Sequence, residues 1–410
     1  MKNIQSVRGT YDYPPKSAET REIVRQKILR SYQDNGFSLI ETPILENLSL
    51  LDSSEGGDNL RLMFKTVKRG SQLDLTKPNL TEKDICEEGL RYDLTVPLAR
   101  FYALHREVLP TPFKAIQMGY SFRAERPQRG RNRQFVQCDI DIFGDDSVNA
   151  EIEIITTVMS TYAKLGLDNV CMKVNSRKIL NTLVKYCGFN DEQINSVCIT
   201  LDKFDKIGIE GVQTELVEKG FDVNNIKKLV DASADIKANG LNVAINYGVA
   251  EEAVKELQYI IDTSNSSIAN GKCVFDLSIV RGQGYYTGTV YEAYTDGFGG
   301  AIGGGGRYDK MVEKLIGINV PAVGFGMGFE PVNIVLQEQG KLLKDKQKIA
   351  LIYDKDENYA DVLAIKNKLM EEYAVSTYVR PKNMKAILDR LQFANFDGFY
   401  STSNQEIKMF

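Results

Sequence analysis

Residues 113–144 read FKAIQMGYSFRAERPQRGRNRQFVQCDIDIFG, and the fold turns on this stretch. In its first run Ile116, Met118, Tyr120 and Phe122 share one parity, while Gln117, Gly119, Ser121, Arg123 and Glu125 share the other. Alternation of period two marks a strand with one face in a core. The second run repeats it, with Val136, Cys138, Ile140 and Ile142 against Gln137, Asp139 and Asp141. RPQRGRNR lies between the runs, so the pattern predicts an antiparallel hairpin with a long basic loop. Its apolar face packs on helices, and its polar face gathers Arg123, Glu125, Gln137 and Asp141. Two readings of that face stay open: a solvated hairpin with charges in water, common in antiparallel sheets, or a built anion site using some of Arg123, Arg126, Arg129, Arg131 and Arg133.

The rest of the composition narrows the choice. The chain has 410 residues and a net charge of −4, so any attraction for anions must be local. Its length predicts two or three domains. A hydrophobic fraction of 43% and a charged fraction of 26% are those of a globular, soluble protein. No apolar run is long enough to span a bilayer, and the opening MKNIQSVRGTYDYPP lacks a hydrophobic signal core, which predicts a cytoplasmic protein without a membrane partner. Six scattered cysteines with no C-x-x-C pair predict reduced core residues. His105 is the single histidine, which argues against protein-bound zinc, serine–histidine triads and histidine acid–base schemes. No metal site is expected. Catalysis must use arginine, carboxylate, tyrosine or backbone groups.

Along the chain, PPKSAETREIVRQKILRSYQDNGF predicts a helix ended by Gly36, followed by a strand in SLIETPIL. Residues 53–90 are polar and weakly periodic, and predict a loop that includes a short hairpin. RYDLTVPLARFYALHREVL predicts a turn feeding a helix. Residues 176–263 carry helical periodicity and predict an inserted helical domain. Strands return in CVFDLSIVRGQGYYTGTVYEAYT and PAVGFGMGFEPVNIVLQEQG, with DGFGGAIGGGGRYDKMV between them read as a glycine-dense turn and a place of close backbone approach. Residues 1–175 and 264–340 then form one discontinuous α+β catalytic domain on an antiparallel sheet. Residues 346–410 alternate strand and helix and predict a small C-terminal α/β domain.

The arginines suit phosphate, because a guanidinium fork matches two phosphate oxygens through charge-assisted bonds. No G-x-x-x-x-G-K-[ST] loop is present, and GGAIGGGGR lacks the strand-to-helix setting of a dinucleotide fingerprint. A sheet face with arginines for a triphosphate and carboxylates for an ammonium or imidazole would bring a nucleotide and an amino acid together.

In order along the chain, LRYDLTVPLAR, FRAERPQRGRNRQF, IVRGQGYYTGTVYE, GGGGRYD and VGFGMGFE resemble the motif 2, histidine-specific and motif 3 regions of class II histidyl-tRNA synthetases. VRGTYDYPP and IETPILE resemble that family's opening and motif 1 region. The resemblance implies a histidine–tRNA ligase that uses ATP with Mg2+, histidine and histidine tRNA, and forms a homodimer through the region around Pro43 and Glu46. It implies that Arg123 and Arg281 are the catalytic cations at the α-phosphate, with Glu125, Arg131 and Phe135 also binding ATP. It assigns Asp93, Thr95 and Gln137 to the α-ammonium of histidine, Asp141 and Tyr286 to the imidazole, and Tyr285 and Tyr308 to their support, with Arg281 alongside. Arg126, Gln128 and Arg129 would touch the tRNA acceptor end. The chain departs from the family pattern at Pro331, where motif 3 carries an arginine, and at Gln283 and Gly284, where the family has leucine and aspartate. The C-terminal domain resembles a shortened anticodon-binding module. These departures leave an alternative, a non-catalytic relative such as a histidine-sensing regulatory subunit of ATP phosphoribosyltransferase.

Overall fold

The hairpin predicted from the alternation forms. In the computed structural model, which describes residues 4–52, 62–201, 203–280, 285–341 and 346–410, β5 (Phe113–Phe122) and β6 (Gln134–Phe143) pair antiparallel. Gln117 stands opposite Asp139, Gly119 opposite Gln137 and Ser121 opposite Phe135, so one face collects the polar residues of both strands. Ile116 and Ile140 pair on the other face, fully buried.

The remaining strands, in chain order, are β1 (Ser38–Leu39), β2 (Leu45–Asn47), β3 (Lys65–Val67), β4 (Cys86–Leu90), β7 (Cys171–Ser176), β8 (Lys272–Phe275), β9 (Thr289–Tyr294), β10 (Gly303–Arg307), β11 (Ala322–Gly328), β12 (Lys348–Tyr353), β13 (Ala374–Val379), β14 (Gly398–Ser401) and β15 (Glu406–Met409). An eight-stranded sheet runs β1-β5-β6-β11-β10-β9-β7-β8. It is antiparallel except at its edges, where β1 joins β5 and β8 joins β7 in parallel. The helices Arg177–Tyr186, Asp191–Leu201, Phe204–Glu218, Val223–Asn239 and Glu251–Ser267 lie in sequence between β7 and β8. A parallel pair needs such a long crossover. Ser176 and Asp222 cap two of these helices through their side chains.

Two expectations need correction. SLIETPIL does not make one strand: β1 and β2 are separate pieces, and the Thr42 and Pro43 carbonyls between them both accept from Arg91 Nη1, at 2.7 and 3.2 Å. Proline lacks a ladder donor, and a buried guanidinium needs acceptors. GGGGR is not a turn either. It is β10, at the centre of the sheet, where a Cβ on Gly305 would stand 2.0 Å from the Gly324 carbonyl oxygen. Only the close-approach half of that reading survives. Within residues 62–90, β3 and β4 pair antiparallel as the predicted hairpin, with the short helix Glu82–Ile85 in the excursion and β2 added as a third strand.

The helix Asn149–Lys164 presents Ile154, Ile155, Val158 and Tyr162, all buried, and the Tyr162 hydroxyl donates to the Ile302 carbonyl at 3.2 Å. Arg307, from the parity of β10 opposite the polar face, donates from Nε to Glu151 Oε1 at 2.6 Å and from Nη2 to Glu151 Oε2. It also reaches the Asp145 and Ser147 carbonyls at 3.1 and 3.0 Å. Every arm of a buried guanidinium is thereby matched.

Residues Met1–Gln26 and Leu336–Phe410 group as one compact unit and Lys27–Val335 as another. In the first, β12 is flanked in parallel by β13 and β14, with the helices Tyr359–Leu369 and Met384–Phe393 as crossovers, and β15 adds an antiparallel edge to β14 that the sequence reading did not identify. Glu19 receives Lys348 Nζ at 2.9 Å and Asn395 Nδ2 at 2.6 Å.

Removing one partner of a buried ion pair strands the other charge. Arg307→Ala should therefore lower the unfolding free energy of the sheet-bearing unit by about 3–5 kcal/mol, read as a shift of its urea transition.

Candidate active site

The site is built where the segment before the helix Thr95–His105 meets the polar face of β5 and β6. Arg91 fixes that segment: besides Thr42 and Pro43, it donates from Nε to the Tyr120 carbonyl at 2.8 Å. Two residues on, Asp93 is buried and its Oδ1 accepts from the Val96 backbone N–H at 3.1 Å. The N–H of Thr95, half-buried at the first turn of the helix, supports it too. Burial nevertheless raises the Asp93 carboxyl above its ordinary range, against the opposing pull of these N–H groups and of Arg123.

Three polar residues follow along β6 on one face. Gln137 donates from Nε2 to Asp139 Oδ2 at 3.2 Å, and Asp141 Oδ1 accepts from the Tyr308 hydroxyl at 2.5 Å. Their neighbours on β11 are glycines. A Cβ on Gly324 would lie 1.7 Å from Asp141 Oδ1, and one on Gly326 would lie 2.9 Å from Asp139 Oδ1, so side chains there would displace the carboxylates. Burial pushes Asp141 up to about 7; the Tyr308 hydrogen bond opposes this and the charge of Asp93 adds to it. Asp139 is also raised well above the usual carboxylate range, by burial first and then by Asp141 and Asp93.

The hydrogen-bond inventory marks the same place. Among the described residues, six buried side-chain polar atoms have no partner, and four of them are Asp93 Oδ2, Ser121 Oγ, Gln137 Oε1 and Asp139 Oδ1. Unpaired buried polar atoms are costly, and their concentration on one face indicates a guest that supplies donors. Tyrosines wall the pocket. Tyr285, Tyr286 and Tyr308 are buried, with ring centroids 4.6 Å apart for the first two and 6.0 Å apart for Tyr285 and Tyr308. Tyr286 also packs on Gly306, the β10 partner of Gly324, so it and Asp141 stand on either side of the glycine pair.

At the far end, Arg123 donates from Nε to the Tyr92 carbonyl at 3.0 Å, and its guanidinium lies 5.1 Å from the Phe135 ring centroid. The basic loop is compact. Gln128 and Arg131 exchange backbone hydrogen bonds of 3.0 and 2.9 Å around Arg129 and Gly130. Arg129 lies 5.2 Å from the Phe298 ring centroid, and a Cβ on Gly130 would meet Phe298 at 2.8 Å and Pro331 at 3.4 Å. The turn tip therefore rests on Pro331, the residue that replaces the expected arginine. Arg126, Gln128 and Arg131 are exposed, Glu125 is half-buried, and Arg133 donates from Nε to the Glu125 carbonyl at 3.1 Å.

The family profile described as histidyl-tRNA synthetase matches residues 9–332. The chain belongs to the histidyl-tRNA synthetase family. A histidine--tRNA ligase of Leifsonia xyli subsp. xyli is 40% identical over 409 residues, 97% of this chain and 94% of that protein. A probable histidine--tRNA ligase of Tropheryma whipplei strain Twist is 35% identical, across 96% of this chain and 93% of its own length. Among solved structures, the histidyl-tRNA synthetase from Nostoc sp. PCC 7120 superposes with a TM-score of 0.76 at 24% identity, covering 98% of this chain and 93% of its own. A Bacillus halodurans structure described as an ATP phosphoribosyltransferase regulatory subunit/histidyl-tRNA synthetase gives the same TM-score at 20% identity, with 97% of each chain covered. At these identities the two structures speak for the fold alone.

The structure brings Gln137, Asp141 and Tyr308 together on the polar face, packs Tyr285 and Tyr286 beside Tyr308, sets the Thr95 backbone next to Asp93, and places Arg123 near Phe135. Arg281, like Gln283 and Gly284, lies outside the described residues. Sequence reasoning gave no role to Arg91, Ser121, Asp139 or Glu330. Alternation had already put Ser121 and Asp139 on the polar face; Glu330 closes the VGFGMGFE motif, and its Oε1 accepts from the Val136 N–H at 3.3 Å.

Between its unfolded value near 3.8 and about 7, folded Asp141 binds more protons than unfolded Asp141, so its contribution to stability falls as pH rises through that window. Asp141→Asn should therefore stabilise the ligand-free protein at pH 8 and leave it unchanged near pH 4. Thermal melts at the two pH values check this, and Tyr308→Phe, which deletes the opposing hydrogen bond, should move the Asp141 carboxyl titration seen by carbon NMR upward.

Proposed function

We propose that this protein is a histidine–tRNA ligase of the cytoplasm, which activates histidine with ATP and transfers it to the 3′ end of histidine tRNA. The observation that carries the reading is the row of partnerless carboxylate and amide oxygens next to a tyrosine-walled carboxylate, with an arginine hairpin at its end. An amino acid with an ammonium and a cationic or hydrogen-bonding ring supplies the donors this row lacks. Asp93, Thr95 and Gln137 take the ammonium, Asp141 and Tyr286 read the imidazole, and Tyr308 and Tyr285 hold them in place.

The histidine carboxylate attacks the α-phosphorus in line, forming a C–O–P bond as the bond to the bridging oxygen breaks and pyrophosphate leaves. No general base is needed, since the carboxylate is already ionised. Arg123 holds developing charge on the non-bridging oxygens, and Arg281, assigned by its motif, shares that task. Phe135 stacks on adenine, Glu125 accepts from its amino group and Arg131 meets the outer phosphates. ATP enters as its magnesium complex, and the ion belongs to that substrate. In the second step a terminal ribose hydroxyl of the tRNA attacks the adenylate carbonyl and AMP leaves. Arg126, Gln128 and Arg129 are the candidates for contact with the acceptor end, which makes transfer sensitive to salt.

The same reading takes residues 1–175 and 264–340 as the catalytic domain, 176–263 as the insertion and 346–410 as an anticodon-binding-like domain. It takes the exposed apolar residues Leu39, Ile44 and Leu45, near Pro43 and Glu46, as part of a homodimer contact. Pro331 supports the alternative of a histidine-binding relative without ligase activity, since it leaves motif 3 without its cation.

Histidine-dependent exchange of pyrophosphate into ATP tests the proposal. Wild type should exchange; histidine binding with no exchange would favour the sensor. Arg123→Ala should cut the exchange rate by about 10²–10³-fold, whereas Arg131→Ala should raise the KM for ATP and leave that for histidine unchanged.

A further inference from the structure

Asp139 is the acid of this pocket that neither the family motifs nor the roles above employ. It stands on β6 midway between Gln137 and Asp141, with its side chain on the same face. At about 3.3 Å per residue, the Cα atoms of Gln137 and Asp141 are roughly 13 Å apart. A single amino acid held at both ends must therefore lie across the residue between them. Gln137 leans toward that residue, since its Nε2 donates to Asp139 Oδ2. Asp139 Oδ1 is left with no hydrogen bond, fully enclosed, and the nearest strand on that side offers only Gly326.

The charges around it do not quench it. Asp141 on its own strand and Asp93 from the neighbouring segment repel it, and Arg123 and Arg91 attract it at a distance. Neither arginine hydrogen-bonds to it: Arg91 is engaged by the Thr42, Pro43 and Tyr120 carbonyls, and Arg123 by Tyr92. Gln117 and Gly326, the residues paired with it on β5 and β11, carry no charge. What the cluster of Asp93 Oδ2, Asp139 Oδ1, Gln137 Oε1 and Ser121 Oγ lacks is a compact donor with several hydrogens and a positive charge. An ammonium has both.

We propose that Asp139 binds the α-ammonium of the substrate directly, forming with Asp93 a two-carboxylate clamp, so that this protein discriminates for the amino group through a residue beyond the motif set. The inference rests on the histidine reading of the pocket. Because burial and the neighbouring acids push the Asp139 carboxyl upward when no guest is bound, an arriving ammonium favours its ionised form, and amino-acid binding releases protons to solvent.

The test compares histidine with 3-(imidazol-4-yl)propionate, which keeps the ring and the carboxylate and lacks the amino group, by calorimetry on the full chain. Asp139→Asn, close in shape and uncharged, should weaken histidine by about 10- to 100-fold, the range for losing one charged hydrogen bond, and leave the des-amino ligand within about twofold. Equal weakening of both ligands, or an unchanged histidine affinity, overturns the proposal. Wild type alone supplies a second measurement that does not depend on the variant folding. Titrations in buffers of different ionisation enthalpy should show more proton release for histidine than for the des-amino ligand, and equal release overturns the proposal too. Failure of wild type to bind histidine at all would instead sink the histidine reading itself.

Discussion

Three carboxylates, Asp93, Asp139 and Asp141, are kept from water on one side of one sheet, and the rest of the site is arranged around that constraint. Buried acids so close together favour losing their charge, as the raised titration of each indicates. Among the described residues no lysine or arginine hydrogen-bonds to these carboxylates. The protein holds its arginines a step away, tied to backbone carbonyls, so that they soften the field without filling the pocket. The result is a group of buried polar atoms without partners, beside a hairpin that carries arginines.

Such a pocket needs a floor without side chains and a rigid backing. The β10 and β11 glycines supply the floor, since β-carbons at Gly324 or Gly326 would occupy the space of the acids. The backing comes from neighbouring residues of opposite parity. Arg307 locks onto Glu151 on one side of the sheet, and Tyr308, the next residue, reaches Asp141 on the other. A contact that fixes the sheet to its helix thus also fixes the phenol that donates to Asp141. Stability and recognition share one dipeptide.

Much of this was legible in the chain. The alternation in 113–144 encodes both hairpin strands and their polar face, because a period of two admits one register once one face is apolar. RYDLT and the Tyr285–Tyr286 pair were identifiable only as motifs; nothing in their local pattern says that they fold back onto β6. GGGGR misled because glycine is the residue of turns, and its place in a central strand depends on partners 10 to 24 residues away, on β9 and β11, which need its missing side chains. SLIETPIL misled for the converse reason: its apolar residues fit a strand, but Arg91 draws the carbonyls around Pro43 out of the ladder. Asp139 was visible on the polar face, yet only the three-dimensional inventory of hydrogen bonds separates it from an ordinary surface acid.

The basic turn carries a further consequence. Arg129 rests against the Phe298 ring, and Gly130 is wedged between that ring and Pro331, so the tip is stapled to the rim before any nucleotide arrives. Arginine-rich loops commonly sample many shapes and lose that freedom on capturing a polyanion. Here much of the narrowing has already happened during folding, and a smaller entropic toll remains at the moment of encounter. The proline that removes one cation from the rim also gives the neighbouring cations a fixed place to stand.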